Sequence, residues 1–385
     1  MFMFPSLMQG EVNKTMLKKI MKLSSIIIIC LAIVFSIIWG TKSINVDDKY
    51  NSTIKPPGEY IQIIGTRYAN LKDDSEGNEV IFSLYSIADR KIIETYTLGQ
   101  VALYPAAAMD TKNQKIYYSG SDNELFDNLF VYDIKSGNSQ QITDDKMLFN
   151  DLLFVKGKLL GTIAPRGKIV LQPAIIDPVH QEIRYYNQSD DDTWFHSFSY
   201  SPMTDKLLCL TCSDKEMRSS RVREETFIRP KKILLMNPDF SEANVIYETD
   251  TFEIRQTRQI DKDHILMITN DSMAGGGNRK IQMLTISGGE LTPFYVEGLL
   301  EPQSIYPGHD AEHLYVLGRD LHNQFSLYDY NIKTKKLNDL LVGYSFPEGH
   351  KTVVDFTYSL TCIRQVKRNV SLSFYNYFNH QNFYY

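Results

Sequence analysis

From about residue 60 onward the chain alternates short apolar runs with polar breaks, and the breaks are too frequent for long helices. Asp110–Thr143 shows the unit: a turn, a strand (Lys115–Ser119), a polar loop, a second strand, a turn and a third strand. The second strand, Leu129–Ile134, is rich in β-branched and aromatic residues, and it stops at Lys135–Asn138. Glycine and asparagine there permit the positive φ of a tight hairpin. Candidate strands equivalent to Leu129–Ile134 recur at Val80–Ile87, Ile169–Ile176, Ile233–Met236, Ile281–Ile286, Phe325–Tyr330 and Val370–Tyr375. Each has an earlier partner: Tyr60–Tyr68, Lys115–Ser119, Lys158–Ile163, Lys206–Cys212, His264–Thr269, His313–Leu317 and Val353–Leu360.

The spacing is about 40–50 residues, stretched to about 60 between the third and fourth units. A repeat of that length with about four strands predicts a β-propeller. One such sheet exposes two apolar faces and must stack on neighbours, and closing the ring removes the free ends. Consecutive rather than alternating hydrophobics, as in Ile233-Leu234-Leu235-Met236, fit strands covered on both faces. The fold class expected is therefore all-β, a seven-bladed propeller over residues 59–385, or six-bladed if the first and last units share a blade.

Tyr200-Ser201-Pro202-Met203-Thr204-Asp205-Lys206-Leu207, followed by Lys232-Ile233-Leu234-Leu235-Met236-Asn237, resembles the S-P-D-G-K-x-I…x-I-Y-V-M-N/D repeat of TolB-type, WD40-like propellers. Asp110–Ile116 and Asp261–Ile265 are weaker echoes of it. The resemblance spans roughly residues 60–375 and implies the fold, since its motif consists of turn residues and strand hydrophobics. The sequence departs from that repeat in lacking the glycine of S-P-D-G, and no counterpart of TolB's additional α/β domain is expected in it.

Ahead of the repeats, Leu23–Gly40 (LSSIIIICLAIVFSIIWG) carries no charge and reaches roughly 27 Å as a helix, close to the ~30 Å of a hydrocarbon core. Lys14, Lys18, Lys19 and Lys22 precede it, while Asp47 and Asp48 follow, so residues 1–22 are expected in the cytoplasm and the remainder outside. A cleaved signal peptide is the alternative. Ile38 and Gly40 make a poor cleavage pair, and the run is longer than a usual signal core. The expectation is a single-pass anchor at 23–40 in the cell membrane, a linker at 41–58 that holds the propeller off the bilayer, and an extracytoplasmic domain.

Composition alters this picture little. Apolar residues make up 43% and charged residues 23%, the balance of a globular protein. The net charge of −5 argues against nucleic acid as a partner. Four cysteines, one of them (Cys30) in the apolar run, do not make a disulfide framework.

Three motifs invite a chemical reading and lose it on context. His309-Asp310-Ala311-Glu312-His313 spells the inverted zinc-protease motif, which needs a helix, yet it lies between Pro307-Gly308 and a strand. Cys209 and Cys212 form C-x-x-C inside a strand, where residues three apart face opposite sides and cannot bridge. Asp190-Asp191-Asp192 lacks the alternating ligands and turn glycine of a calcium loop. No nucleophile elbow or phosphate loop occurs, and Gly275-Gly276-Gly277 sits between two strands. No catalytic residue, metal ligand or cofactor is assigned.

The loops joining the two central strands of each unit emerge together on one face of a propeller. Among them, 213–231 is the longest and carries Arg218, Arg221, Arg223, Arg229 and Lys231, with Lys232 directly after it. Arg67, Arg166, Arg279 and Arg319 belong to others of the set. Guanidinium forks suit carboxylate and phosphate. The candidate binding residues are thus Arg67, Arg166, Arg218, Arg221, Arg223, Arg279 and Arg319, and the partner a cell-envelope protein or anionic ligand. Non-catalytic binding or scaffolding is the expected function. The alternative is a propeller enzyme of lactonase, lyase or glycosidase type with its site at the central channel.

Overall fold

A computed structural model describes residues 58–68, 78–101, 104–121, 127–144, 147–165, 167–221, 228–229, 231–271, 278–308, 310, 312–342, 350–361 and 371–373. The expected anchor and linker lie outside these. No helix among the described residues is long and apolar enough to cross a membrane.

The described strands fall into six antiparallel sheets, the blades of a β-propeller. Blade 1 holds β1 (Gly58–Tyr68), β2 (Asn78–Ser86) and β3 (Lys91–Val101). Blade 2 is β4 (Ala107–Asp110), β5 (Lys115–Gly120), β6 (Asn128–Asp133) and β7 (Asn138–Gln141). Blade 3 is β8 (Leu148–Val155), β9 (Lys158–Ala164), β10 (Gln172–Asp177) and β11 (Glu182–Tyr185). Blade 4 is β12 (Thr193–Ser201), β13 (Lys206–Ser213), β14 (Lys231–Met236) and β15 (Asn244–Thr249). Blade 5 is β16 (Glu253–Gln259), β17 (His264–Asn270), β18 (Lys280–Thr285) and β19 (Glu290–Pro293). Blade 6 is β20 (Leu299–Pro307), β21 (His313–Asp320), β22 (Phe325–Asn331) and β23 (Lys336–Asp339).

The seventh unit expected from the sequence is not a blade. Its first strand, β24 (His350–Thr361), pairs with β1 and supplies the inner strand that blade 1 lacks, with Tyr60 opposite Ser359 and Ile63 opposite Phe356. Its second, β25 (Ser371–Ser373), pairs with the other edge of β24. The reason is geometric. Among the described residues the first unit has no inner strand of its own, so β1 would present a bare edge, and the C-terminal strand covers it. The ring is thus closed by the two ends of the domain sharing one sheet.

Apolar packing lies between blades, as the consecutive hydrophobics anticipate. On β13, Leu207 and Cys209 pack with Leu153 and Leu160 of blade 3. Leu208 and Leu210 pack with Ile254, Ile265 and Met267 of blade 5. Ile61 and Ile63 join Val316 and Leu327 of blade 6, whereas Val80 and Phe82 join Ile116 and Tyr118 of blade 2, which completes the circle. At about 25 cal/mol per Å² of apolar area, these seams supply most of what holds the ring.

Turn chemistry explains the hairpins. Arg90, Gly137, Gln181, Gly289 and Lys335 each precede an outer strand with φ between +53° and +69°. Only two are glycine, so most of the pattern was invisible to a search for glycine. Asp205, directly before Lys206, takes φ +58° where the resembled repeat has its glycine. At the turns after the inner strands, Asp110, Asp261 and Asp310 accept backbone N–H bonds from residues two and three further on. This accounts for the zinc-like spelling: Asp310 closes a turn and His313 begins β21, its Nδ1 2.6 Å from Asp329. His309 lies outside the described residues, as do Gly275, Gly276 and Gly277.

Candidate anion-binding mouth

The face where the inner strands begin is also where the second strands end and the third begin. There, cations at the end of one blade's loop meet acids at the entry to the next blade. Lys168 of blade 3 pairs with Asp191 ahead of β12. Arg229, ahead of β14, donates Nε to Glu253 Oε1 at 2.9 Å and its backbone N–H to Oε2 at 3.2 Å. Arg279, ahead of β18, lies 3.6 Å from Glu301 of β20, and Arg319 lies 3.8 Å from the same carboxylate.

The sequence-derived candidates divide on this face. Arg279 and Arg319 share Glu301, and Arg319 also stacks over Phe325, 5.6 Å from the ring centroid. Arg218 donates Nε to Asp214 Oδ2 at 2.6 Å one helical turn away. Arg67 stands in β1 opposite Glu79, at the same end of its blade. Arg221 ends a helix, and Arg166 and Arg223 lie outside the described residues. The structure therefore gathers Arg279 and Arg319 about one acid and leaves Arg218 to a local pair.

The 213–231 segment was expected to be loop throughout. Its first part is instead a helix, α1 (Asp214–Arg221). Ser213 accepts the Glu216 N–H at 3.1 Å, and Asp192 accepts the Lys215 N–H and the Ser213 hydroxyl, each at 2.8 Å. Ser213-Asp214-Lys215-Glu216 has the spacing of a capping box, a signal legible in the sequence but overlooked. The three aspartates are likewise structural: Asp190 closes its own turn, Asp191 pairs with Lys168, and Asp192 caps α1. No metal-ligating cluster occurs among the described residues.

The densest charge sits at the seam of blades 4 and 5. Arg229, Lys231 and Glu253 are all buried there, with Lys231 Nζ 3.6 Å from Glu253 Oε1. Burial pushes Glu253 up, but Lys231, Arg229 and Arg255 more than offset it and hold the carboxyl below its ordinary range. Burial, with Arg229 alongside, brings Lys231 down to about 8. His196 is driven well below the usual histidine range by burial first and then by Lys231, Arg229 and Arg255, so it is neutral at pH 7. Its Nε2 lies 2.8 Å from the Cys212 sulfur, and Trp194 stacks on its ring at 5.9 Å.

His196 owes its position to a β-bulge. The ladder of β12 and β13 skips it between Phe195 and Ser197. The same irregularity skips Asn150 in β8, Arg255 in β16 and Gln303 in β20. A bulge re-aims a side chain and is common beside functional sites. Asn150 donates to the His196 carbonyl at 2.7 Å, which ties the bulges of neighbouring blades together. Nothing in residue order marks a bulge, so His196 and Arg255 escaped the sequence reading. Arg229 and Lys231 were counted as loop charges, whereas both are buried.

Fold and mouth together define the class: a six-bladed β-propeller whose loop face has a buried cationic seam. No family model matches the chain, and no curated protein matches it in sequence. Among solved structures it is similar to one titled nidogen/laminin complex, at 10% identity and TM-score 0.46 over 73% of this chain and 92% of that one. It is also similar to TolB from Acinetobacter baumannii, at 17% identity and TM-score 0.45 over 72% and 62% of the two chains. A puromycin-hydrolysing peptidase of Mycobacterium tuberculosis gives 11% identity and TM-score 0.47 over 78% and 49%. Likeness at this level adds nothing about ligands.

Proposed function

We propose that the chain is a non-catalytic binding module, an extracytoplasmic propeller tethered by residues 23–40, which engages an anionic group of a cell-envelope partner through its loop face. The observation that supports it is the gathering of cations at one seam of an acidic protein: Arg229, Lys231 and Arg255 all act on the buried carboxylate of Glu253. Arginine-rich rims suit carboxylate and phosphate, and binding residues concentrate on loops held by a rigid scaffold. The tether follows from the uncharged run and the lysines ahead of it.

Two measurements test this. Replacing Arg218, Arg221 and Arg223 together with alanine is expected to weaken capture of envelope proteins cross-linked to the wild type, with circular dichroism unchanged. Equal capture by both removes the loop-face reading. Externally added protease should digest the propeller in intact cells, and protection there removes the topology.

One contact favours the enzyme reading, the His196–Cys212 pair, a thiol and an imidazole within hydrogen-bond reach. Burial raises the Cys212 thiol even though Lys231 and Arg229 pull the other way. Both partners are therefore neutral, which is the wrong state for a nucleophile. Rapid alkylation of Cys212 in the folded protein by iodoacetamide at pH 7 would restore the enzyme reading.

A further inference from the structure

We propose that the seam of blades 4 and 5 holds a small oxyanion, a phosphate or a carboxylate, between Lys231, Arg255 and the Trp194 indole. The proposal names the ligand class of the loop-face site and rests on that reading.

Three neighbouring strands place the donors in one row. Trp194 stands opposite Cys212 on the β12–β13 ladder, and Thr211 stands opposite Lys232 on the β13–β14 ladder, so Lys231 follows beside Cys212. Residues directly across a ladder project from the same face of a sheet. Here that face is the one on which Leu210 and Ile233 meet blade 5. The Trp194 Nε1 and the Lys231 Nζ are both buried, and neither has a hydrogen-bond acceptor among the described residues. The nearest carboxylate oxygen to Lys231, at 3.6 Å, is already engaged by Arg229.

A buried ammonium without an acceptor is costly, and a buried N–H left unmade costs about 1–3 kcal/mol. What the Trp194 Nε1 and the Lys231 Nζ lack among the described residues is a hydrogen-bond acceptor carrying negative charge. At the seam of blades 3 and 4, by contrast, Lys168 meets Asp191 one to one. At the seam of blades 5 and 6, Arg279 and Arg319 share Glu301, and Arg319 is exposed to water, which screens it. Trp194, His196 and Arg255 are only half-buried, so the row is reachable from the mouth.

An oxyanion there would accept from the indole N–H and from the ammonium together, and Arg255 would balance its charge. An ammonium beside an N–H donor is a usual complement of phosphate and carboxylate.

The test is calorimetric titration of the full chain with sodium phosphate and, separately, sodium succinate, each against chloride at equal ionic strength. Binding of one ion per chain is expected, with phosphate alone, succinate alone or both identifying which group the site takes. Lys231→Met is expected to weaken it about tenfold or more, and Trp194→Phe, which keeps an aromatic ring and removes the N–H, about fivefold. Lys333→Met, an exposed charge on the opposite face, controls for net charge and should bind as the wild type does. If Lys231→Met does not fold, Trp194→Phe decides. No heat with either ion, or wild-type affinity in Trp194→Phe, overturns the site. Because no partner protein enters the titration, its failure is separable from failure of the capture experiment.

Discussion

Arg229 and Glu253 join blade 4 to blade 5 by a side-chain fork and a backbone N–H, with both residues buried. The pair is the most enclosed of the contacts that run from one blade's loop to the next blade's entry.

Removing one partner of a buried pair leaves the other charge unpaired, which typically costs about 3–5 kcal/mol. Arg229→Ala and Glu253→Gln are each expected to lower unfolding stability on that scale in urea, and the double variant by less than their sum. Because the Glu253 carboxyl is held below its ordinary range, its contribution is present above the unfolded value and fades as pH falls through the folded one. Additive losses would show that the two do not act as a pair.

Asp151 runs the other way. Burial pushes its carboxyl up to about 6, against hydrogen bonds from Thr162 and Asn150 and the charge of Arg258. Its contribution is complete below the unfolded value of 3.8 and is lost as pH rises through about 6. The shift of about two units corresponds to roughly 3 kcal/mol. Asp151→Asn should therefore gain on the wild type by about that much between pH 4 and pH 7. Parallel stability curves for the two proteins would refute it.

Ring closure depends on β24. A chain ending at residue 349 lacks the inner strand of blade 1 and leaves the edge of β1 bare. Aggregation, or loss of slow hydrogen exchange at Ile61–Ile64, is expected. Supplying residues 350–385 as a separate chain should restore protection. A soluble truncated domain with wild-type exchange would show that the ring closes without β24.

Much of the fold was legible. Strand positions such as Leu129–Ile134 and Lys206–Cys212 followed from apolar runs bounded by turn residues, because a covered sheet needs just that pattern. The opposed faces of Cys209 and Cys212 followed from the two-residue period: Cys209 packs towards blade 3, and Cys212 lies beside His196 near blade 5. The blade count did not follow, because Val353–Leu360 reads as a strand without saying whose. The candidate site was only half legible. Charge on the 213–231 segment was plain, but whether Arg229 and Lys231 meet water or Glu253 depends on a residue some two dozen positions away in the next blade.

Residue order by itself settled the repeating sheet, its turns and its two-sided burial, since these depend on side-chain period and local backbone preference. Only the tertiary structure decided that six blades close through shared ends, that five of the described inner strands bulge, and that three cations surround one acid. Those outcomes are set by which edges and charges meet across the ring, and no local pattern encodes a meeting between distant strands.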